Sequence, residues 1–411
     1  MADPSTTELD CIPFVSSKTA LTLKKQYLDT AKVMRIPGWL NAQLLSEAAS
    51  SGSKLWLDFA VDGFHHIAKG RQSFRKYARP DTKMRIEWMD YYASRPEAHL
   101  LGQPSVHAKP DKSAVNAGIA ALLDSALSMN VAWVSVPQLP FTDDSERNKI
   151  NAALASAAAD WKKTRKASVE LVLPAIFTSR PQTSGKTRWR KKTDQIERCL
   201  DRSGASILWV VDTTLEDAKG RPSNPERLTN LLELHKHIRS TVSAQVIAGP
   251  YWGFNLVLWS RGLCDYPATG VGSGFQYYIP GLAISRGSNF RIPIAPLKRR
   301  AVAGAKLRKW LDASLKRLEA NDPIAEHFTA LIDGWPRHAT QDGARELLCV
   351  FYRQWIDELQ ALKPDARAVS LFQSLSAAYV LGTRLPSLPD TEKPAVAAGQ
   401  VAEQLMLTCL S

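Results

Sequence analysis

The chain has 411 residues, 45% of them hydrophobic and 23% charged. That length allows two or three domains at roughly 100–200 residues each, and the composition excludes both a stapled mini-protein and wholesale disorder. Lys and Arg number 53 against 40 Asp and Glu, a net charge of +13. A polyanion is therefore the first partner to consider, since Lys and Arg that neutralise phosphates release counterions. No apolar run approaches the about 18 residues of a membrane span, and the opening MADPSTTELDCIPF lacks a charged-then-apolar signal pattern. The chain reads as soluble and cytoplasmic. Cys11, Cys199, Cys264, Cys349 and Cys409 are far apart with no Cys-x-x-Cys, which excludes a zinc ribbon and a disulfide framework.

In chain order, residues 1–50 read as a partly helical lead-in with its helix over Lys18 to Met34. Short greasy runs follow: Lys54 to Asp58 (KLWLD), Val131 to Pro137 (VAWVSVP), Val169 to Phe177 (VELVLPAIF), Ile207 to Asp212 (ILWVVD) and Gln245 to Gly249 (QVIAG). Their near-continuous apolarity is what parallel strands buried on both faces require. Helical patterns lie between them. Asp144 to Lys163 puts Ile150, Leu154, Ala157 and Trp161 on one face, and Pro225 to Ile238 follows an Asn224 cap with Pro225 at the first helical position. Alternating strand and helix predicts an α/β fold, and the length suits a (β/α)8 TIM-type barrel over residues 51–297 better than an open sheet. After Pro296 the strand signals fade. Lys298 to Asn321, Pro323 to Gly334, Gln341 to Leu362 and Ala366 to Leu381 read as amphipathic helices of a C-terminal domain, 298–411.

Two basic runs stand out. Arg286 to Lys309 carries eight Lys and Arg, with Lys298, Arg299 and Arg300 consecutive, and no acidic residue. Arg180 to Lys192 holds Arg180, Lys186, Arg188, Arg190, Lys191 and Lys192 around Trp189, among Gly, Ser, Thr and Pro that read as an exposed loop. Both are expected to track a phosphate backbone.

Parallel barrels keep their chemistry at the carboxyl ends of the strands, so the polar residues that close the greasy runs are the candidates. Asp58 closes the first run and is followed by Asp62, Phe64, His65 and His66. Gln138 follows the second and Asp212 closes the fourth. Tyr251 and Trp252 follow the fifth, in GPYWGFN. The glycine-rich GVGSGFQYYIPG adds Phe275, Gln276, Tyr277 and Tyr278. No Cys or His pair has zinc spacing and no Gly-x-Gly-x-x-Gly follows the first strand, so neither a metal nor a redox cofactor is expected.

The order of these motifs resembles the tRNA-guanine transglycosylase superfamily, (β/α)8 barrels that cut and remake a base-to-ribose bond. DFAVDGF, from Asp58 to Phe64, looks like the family's first catalytic turn with two extra residues. Val131 to Lys163 is similar to its base-reading strand and helix, and Gln245 to Pro267 to the strand, Gly-rich turn, helix and Gly-Cys-Asp before its second catalytic strand. Aligned on Cys264 and Asp265, the covalent nucleophile's place is taken by Ala268. In the base-reading turn Pro137 and Gln138 stand where the family has an Asp. An amide, which both donates and accepts, suits cytosine's edge better than guanine's.

A barrel that opens a glycosidic bond without storing the sugar gives the intermediate to water. The combination resembles a bacterial antiphage DNA glycosylase branch related to archaeosine transglycosylases. The resemblance implies release of α-glucosyl-hydroxymethylcytosine from phage DNA, leaving abasic sites. It assigns Asp58 as the carboxylate beneath the anomeric carbon, with Asp62 in reserve and Asp212 beside them. Gln138, Tyr251, Trp252, Phe64 and Gln276 would form the pocket for a flipped base, and Arg188, Arg190, Lys191, Lys192, Lys298, Arg299 and Arg300 the DNA-tracking surface. Two alternatives stand beside it: a base-exchanging transglycosylase that recruits Asp212 or Asp265 as nucleophile, and a non-catalytic nucleic-acid-binding barrel.

Overall fold

The computed structural model describes residues 8–38, 42–59, 112–129, 131–141, 145–177, 186–213, 215, 225–271, 290–319, 321–389 and 396–411. Eight parallel strands close into a barrel: β1 (Ile12–Phe14), β2 (Val33–Pro37), β3 (Lys54–Asp58), β4 (Trp133–Ser135), β5 (Glu170–Phe177), β6 (Ile207–Asp212), β7 (Gln245–Ala248) and β8 (Tyr266–Gly270). Each pairs with its chain neighbours, and the ring shuts where Ile12 lies opposite Ala268 and Phe14 opposite Gly270. Helices α1 (Lys18–Tyr27), α2 (Ala42–Ala49), α3 (Lys112–Ser128), α4 (Ser145–Arg165), α5 (Lys186–Ser203), α6 (Pro225–Thr241) and α7 (Phe254–Ser260) follow β1 to β7 in turn. This is a TIM-type barrel, the fold class the strand–helix alternation predicts.

The barrel begins earlier than expected. Residues 1–50 read as a lead-in before the barrel, yet the described part of that segment supplies β1 and β2. The helix expected to run to Met34 stops at Tyr27, and VMRIP, all five residues buried, forms β2. A three-residue strand and a strand interrupted by Arg35 leave too little period-two signal to be seen. At its start α1 is capped by Ser17, whose Oγ accepts the Ala20 N–H at 3.2 Å.

Past the barrel, β9 (Arg291–Ile294) and β10 (Arg299–Val302) form an antiparallel hairpin with Arg299 opposite Ile294. Helices α8 (Ala305–Leu315), α9 (Pro323–Asp333), α10 (Trp335–His338), α11 (Gln341–Gln360), α12 (Pro364–Arg384) and α13 (Gln400–Leu410) complete the chain. The helix expected from Lys298 therefore starts only at Ala305, because the basic triplet enters β10. The C-terminal segment has no single core of its own. The hairpin, α8 and α9 enclose one cluster around Ile294, Trp310 and Phe328, whereas Leu348, Trp355, Leu371 and Leu405 of α11 to α13 extend the barrel's own core. That close approach fixes Gly253. At its φ of 74° a Cβ would lie 2.7 Å from Leu405 Cδ1 and 3.0 Å from Trp355.

Candidate active site

Side chains alternate along a strand, so one inward residue sets the parity of the rest. Phe14 of β1, Trp56 of β3 and Trp209 of β6 come from strands that are not neighbours, and their rings meet edge-on at centroid distances of 5.3–5.7 Å. Only the barrel interior brings them together. Hydrogen bonds hold the two indoles: Trp56 Nε1 donates to Ser135 Oγ at 2.9 Å and Trp209 Nε1 to the Gly249 carbonyl at 2.7 Å. The three rings make an aromatic floor.

Asp58 lies two residues beyond Trp56, on the same face and at the carboxyl end of β3. It is 2% exposed. Beneath it comes Arg35 of β2, whose Cα is opposite that of Trp56. The Arg35 Nε donates to Asp58 Oδ2 at 2.9 Å, and Nη2 makes a second bond to the same oxygen. The guanidinium carbon stands 4.6 Å from the Phe14 ring centroid and 5.2 Å from that of Trp209. The result is a buried carboxylate–guanidinium pair seated on the aromatic floor, at the barrel end where such folds carry their chemistry. Charges there act in a low-dielectric surrounding and are preoriented, which is what stabilises charge developing in a transition state. Arg35 is not among the residues that strand-end position singles out. Its signal in the sequence is a lone charge inside VMRIP, for a buried charge is the informative exception in an apolar run.

Asp212 has the opposite parity to Trp209. Its carboxylate turns outward to Arg227 of α6, whose Nη2 lies 2.9 Å from Oδ1 and 3.0 Å from Oδ2. Asp212 thus ties the end of β6 to the helix outside the barrel. Asp265, the other candidate nucleophile, precedes β8 and lies at the opposite, amino-terminal end. There it pairs with Arg239 and accepts the Val246 N–H at 2.7 Å.

Three pocket candidates also serve the scaffold. Gln138 Nε2 donates to the carbonyls of Pro137 and of Asn151 on α4, at 2.8 and 3.0 Å, so the side chain faces the outer helix rather than the barrel mouth. Asn151 grips the same turn from the other side, through both the N–H and the carbonyl of Leu139. Tyr251 is 1% exposed, and its hydroxyl accepts the Asp212 backbone N–H at 2.6 Å. Trp252 stacks on Phe351 at 5.6 Å and donates its indole N–H to the Lys298 carbonyl, which joins the barrel to α11 and to the turn before β10. Asp62, Phe64 and Gln276, like His65 and His66, lie outside the described residues.

Arg299 and Arg300 of the basic triplet are buried and Lys298 is half-buried, so the triplet does not present the exposed basic face expected of it. Arg299 is 3% exposed and donates to the carbonyls of Ala397 and Ala398. Arg300 lies 4.9 Å from the Trp252 ring centroid. Lys298 sits against Phe351 and Trp355 near Glu358, and burial pulls its ammonium below the usual lysine range. The other run behaves differently. From Lys186 onward it is not a loop but the first turns of α5, which follows β5 and so begins at the same barrel end as Asp58. Lys191 is exposed there, whereas Lys192 is buried with its Nζ 5.5 Å from the Phe177 ring. Arg188 and Arg190 share this helix start, their side chains outside the described set.

Fold and site together define a (β/α)8 barrel that carries, among the described residues, an inward-facing ion pair at its carboxyl end. No protein-family model and no curated protein matches the chain. Among solved structures, it is similar to a type I 3-dehydroquinate dehydratase from Clostridium difficile at 10% identity and a TM-score of 0.36, covering 67% of this chain and 88% of that one. It is also similar to an endo-β-N-acetylglucosaminidase from Cordyceps militaris at 8% identity and a TM-score of 0.35, covering 69% and 86%. A third is the 3-dehydroquinate dehydratase from Geobacillus kaustophilus, at 12% identity, a TM-score of 0.32 and coverage of 67% and 86%. Likenesses this distant carry no argument about activity, which has to come from the residues.

Proposed function

We propose that the protein is a DNA glycosylase that hydrolyses the N-glycosidic bond of a modified base, with α-glucosyl-hydroxymethylcytosine in phage DNA as its substrate and antiphage defence as its role. The single observation that carries this reading is Asp58, an inward carboxylate at the barrel mouth seated on a rigid floor. Hydrolysis adds water across the bond between the sugar's anomeric carbon and the base nitrogen: the hydroxyl goes to the sugar and the proton to the departing base. As the bond opens, positive charge gathers on the sugar ring, and a fixed carboxylate beneath it lowers the barrier. Release to water rather than base exchange is supported by the positions of Asp212 and Asp265, one facing the outer helix and the other at the far end of the barrel. The cationic start of α5, on the same side as Asp58, suits the phosphate backbone of a DNA from which one base has been swung out.

The reading takes up the resemblance to the transglycosylase superfamily. The stretch from Gln245 to Pro267 runs strand, turn, helix and strand, the order that resemblance implies. The test is incubation of the purified chain with glucosylated and unglucosylated phage DNA, followed by alkaline cleavage. Strand breaks confined to the glucosylated DNA are expected. Intact DNA in both samples would sink the reading.

A further inference from the structure

We infer that Arg35 is the positioning residue of this site, holding the Asp58 carboxylate in the orientation that base release needs. The inference rests on the proposal that Asp58 is the carboxylate of a glycosylase.

Three features separate positioning from simple neutralisation. First, both bonds that Arg35 makes to Asp58 end on one oxygen, Oδ2, so the guanidinium grips the carboxylate from one side and biases its rotation. Second, the guanidinium is itself packed on the aromatic floor. It rests against Phe14 and Trp209, and the Trp209 indole is held by the Gly249 carbonyl. A cation held against two rings is fixed in place by them as well as by the carboxylate, so it offers the carboxylate a defined direction of approach. Third, Arg35 enters from one pleat below, because its register partner is Trp56 and not Asp58. It therefore approaches from the floor side, away from the carboxyl end of the barrel at which substrate would arrive. A planar fork can do this, and a flexible ammonium supplies charge without the geometry. The pair at Asp212 is the internal contrast, since there Arg227 reaches both oxygens from outside the barrel.

The experiment compares Arg35→Lys and Arg35→Met with wild type, measuring the single-turnover rate of base release at saturating glucosylated DNA and, separately, the Kd for that DNA. Arg227→Met is the control for loss of an arginine paired with a buried aspartate. The Arg35→Met rate should fall by about a hundredfold, the scale of misplaced catalytic groups. Arg35→Lys should fall by about tenfold, as when a supporting partner is weakened. The Kd should stay within about threefold of wild type in both, because saturating binding runs through the phosphate contacts. Arg227→Met should lower the thermal midpoint and leave the rate near wild type. The inference is overturned if Arg35→Lys keeps the full wild-type rate, or if the Kd weakens in step with the rate, which is the mark of a merely structural role. The two ideas fail separately. A wild-type rate in Asp58→Asn overturns the glycosylase reading, whereas an inactive Asp58→Asn beside fully active Arg35 variants overturns only the positioning role.

Discussion

The ends of β3 and β6 look alike in sequence: KLWLD and ILWVVD each close a greasy, tryptophan-bearing run with an aspartate. Both aspartates are 2% exposed and each is paired with an arginine. In β3 the tryptophan and the aspartate are two residues apart and share the inner face, so Asp58 meets an arginine of the neighbouring strand. In β6 they are three apart and fall on opposite faces, so Asp212 meets an arginine of the surrounding helix. One residue of spacing thus separates a group that can face a substrate from one that fastens a strand to its helix. Burial and charge pairing alone do not make the distinction.

The comparison is broken or upheld most directly by removing each carboxylate without changing its shape. Asp58→Asn should abolish base release, a loss of at least about a hundredfold or about 3 kcal/mol in barrier. Asp212→Asn should release base at close to the wild-type rate. Asp58→Asn leaves the buried Arg35 guanidinium without this counter-charge and should cost about 3 kcal/mol of stability in denaturant unfolding, whereas Asp212→Asn, beside the half-buried Arg227, should cost less. A stability loss in both variants with a rate loss in only one is the expected pattern. Equal rates in the two variants would show that parity about the aromatic floor does not assign the roles.

How much of this was legible in the sequence follows from the same geometry. Five strands and the strand–helix alternation were visible because their apolar runs are long and continuous. β1, β2 and β8 were not, since β1 has three residues, β2 carries Arg35 at its centre, and β8 (YPATG) mixes Pro, Thr and Gly into a short run. Asp58 was found by its place at a strand end, but Asp212 was found by the same rule and does something else, for strand-end position carries no sign of which face the side chain takes. Gln138, Tyr251 and Trp252 satisfy that rule too, yet each also serves the scaffold: Gln138 donates to carbonyls, Tyr251 accepts a backbone N–H, and Trp252 donates to the Lys298 carbonyl and stacks on Phe351. Charge density misled for Lys298 to Arg300, because long side chains reach carbonyls and ring faces that lie far away in the chain.

A second contrast concerns acid. The helix that anchors Asp212 carries His235 about two turns beyond Arg227, fully buried. Desolvation by burial pulls its imidazole down to about 4, against a weaker opposing interaction with the Leu263 backbone. The folded-state value is below the unfolded one near 6.5, so between those pH values the unfolded chain takes up a proton that the folded chain refuses. This contribution to stability is complete above pH 6.5 and is lost as pH falls, by about 3 kcal/mol in all by pH 4. Denaturant midpoints of wild type and His235→Leu, measured at pH 7 and pH 5, should converge or cross toward the acid side. Parallel acid losses in the two proteins would exclude His235 as the source.

The smallest expected effect compares the two basic runs. Lys191 is exposed at the start of α5, on the barrel end that carries Asp58, whereas Arg299 is buried against the carbonyls of Ala397 and Ala398. Lys191→Ala should weaken binding to modified and ordinary DNA alike, since lysine–phosphate pairs carry no base information. The slope of log affinity against log salt should fall in magnitude by roughly 0.9 on duplex DNA, the change expected when one fewer phosphate is neutralised. Arg299→Ala should leave that slope unchanged, and its effect should appear as lowered thermal stability, because two carbonyls lose their donor in a buried place. The pair of variants therefore reads position rather than charge, as each removes one positive charge. If Arg299→Ala changes the slope and Lys191→Ala does not, the DNA path runs over the C-terminal hairpin, and the barrel end that carries α5 is not the face the duplex meets.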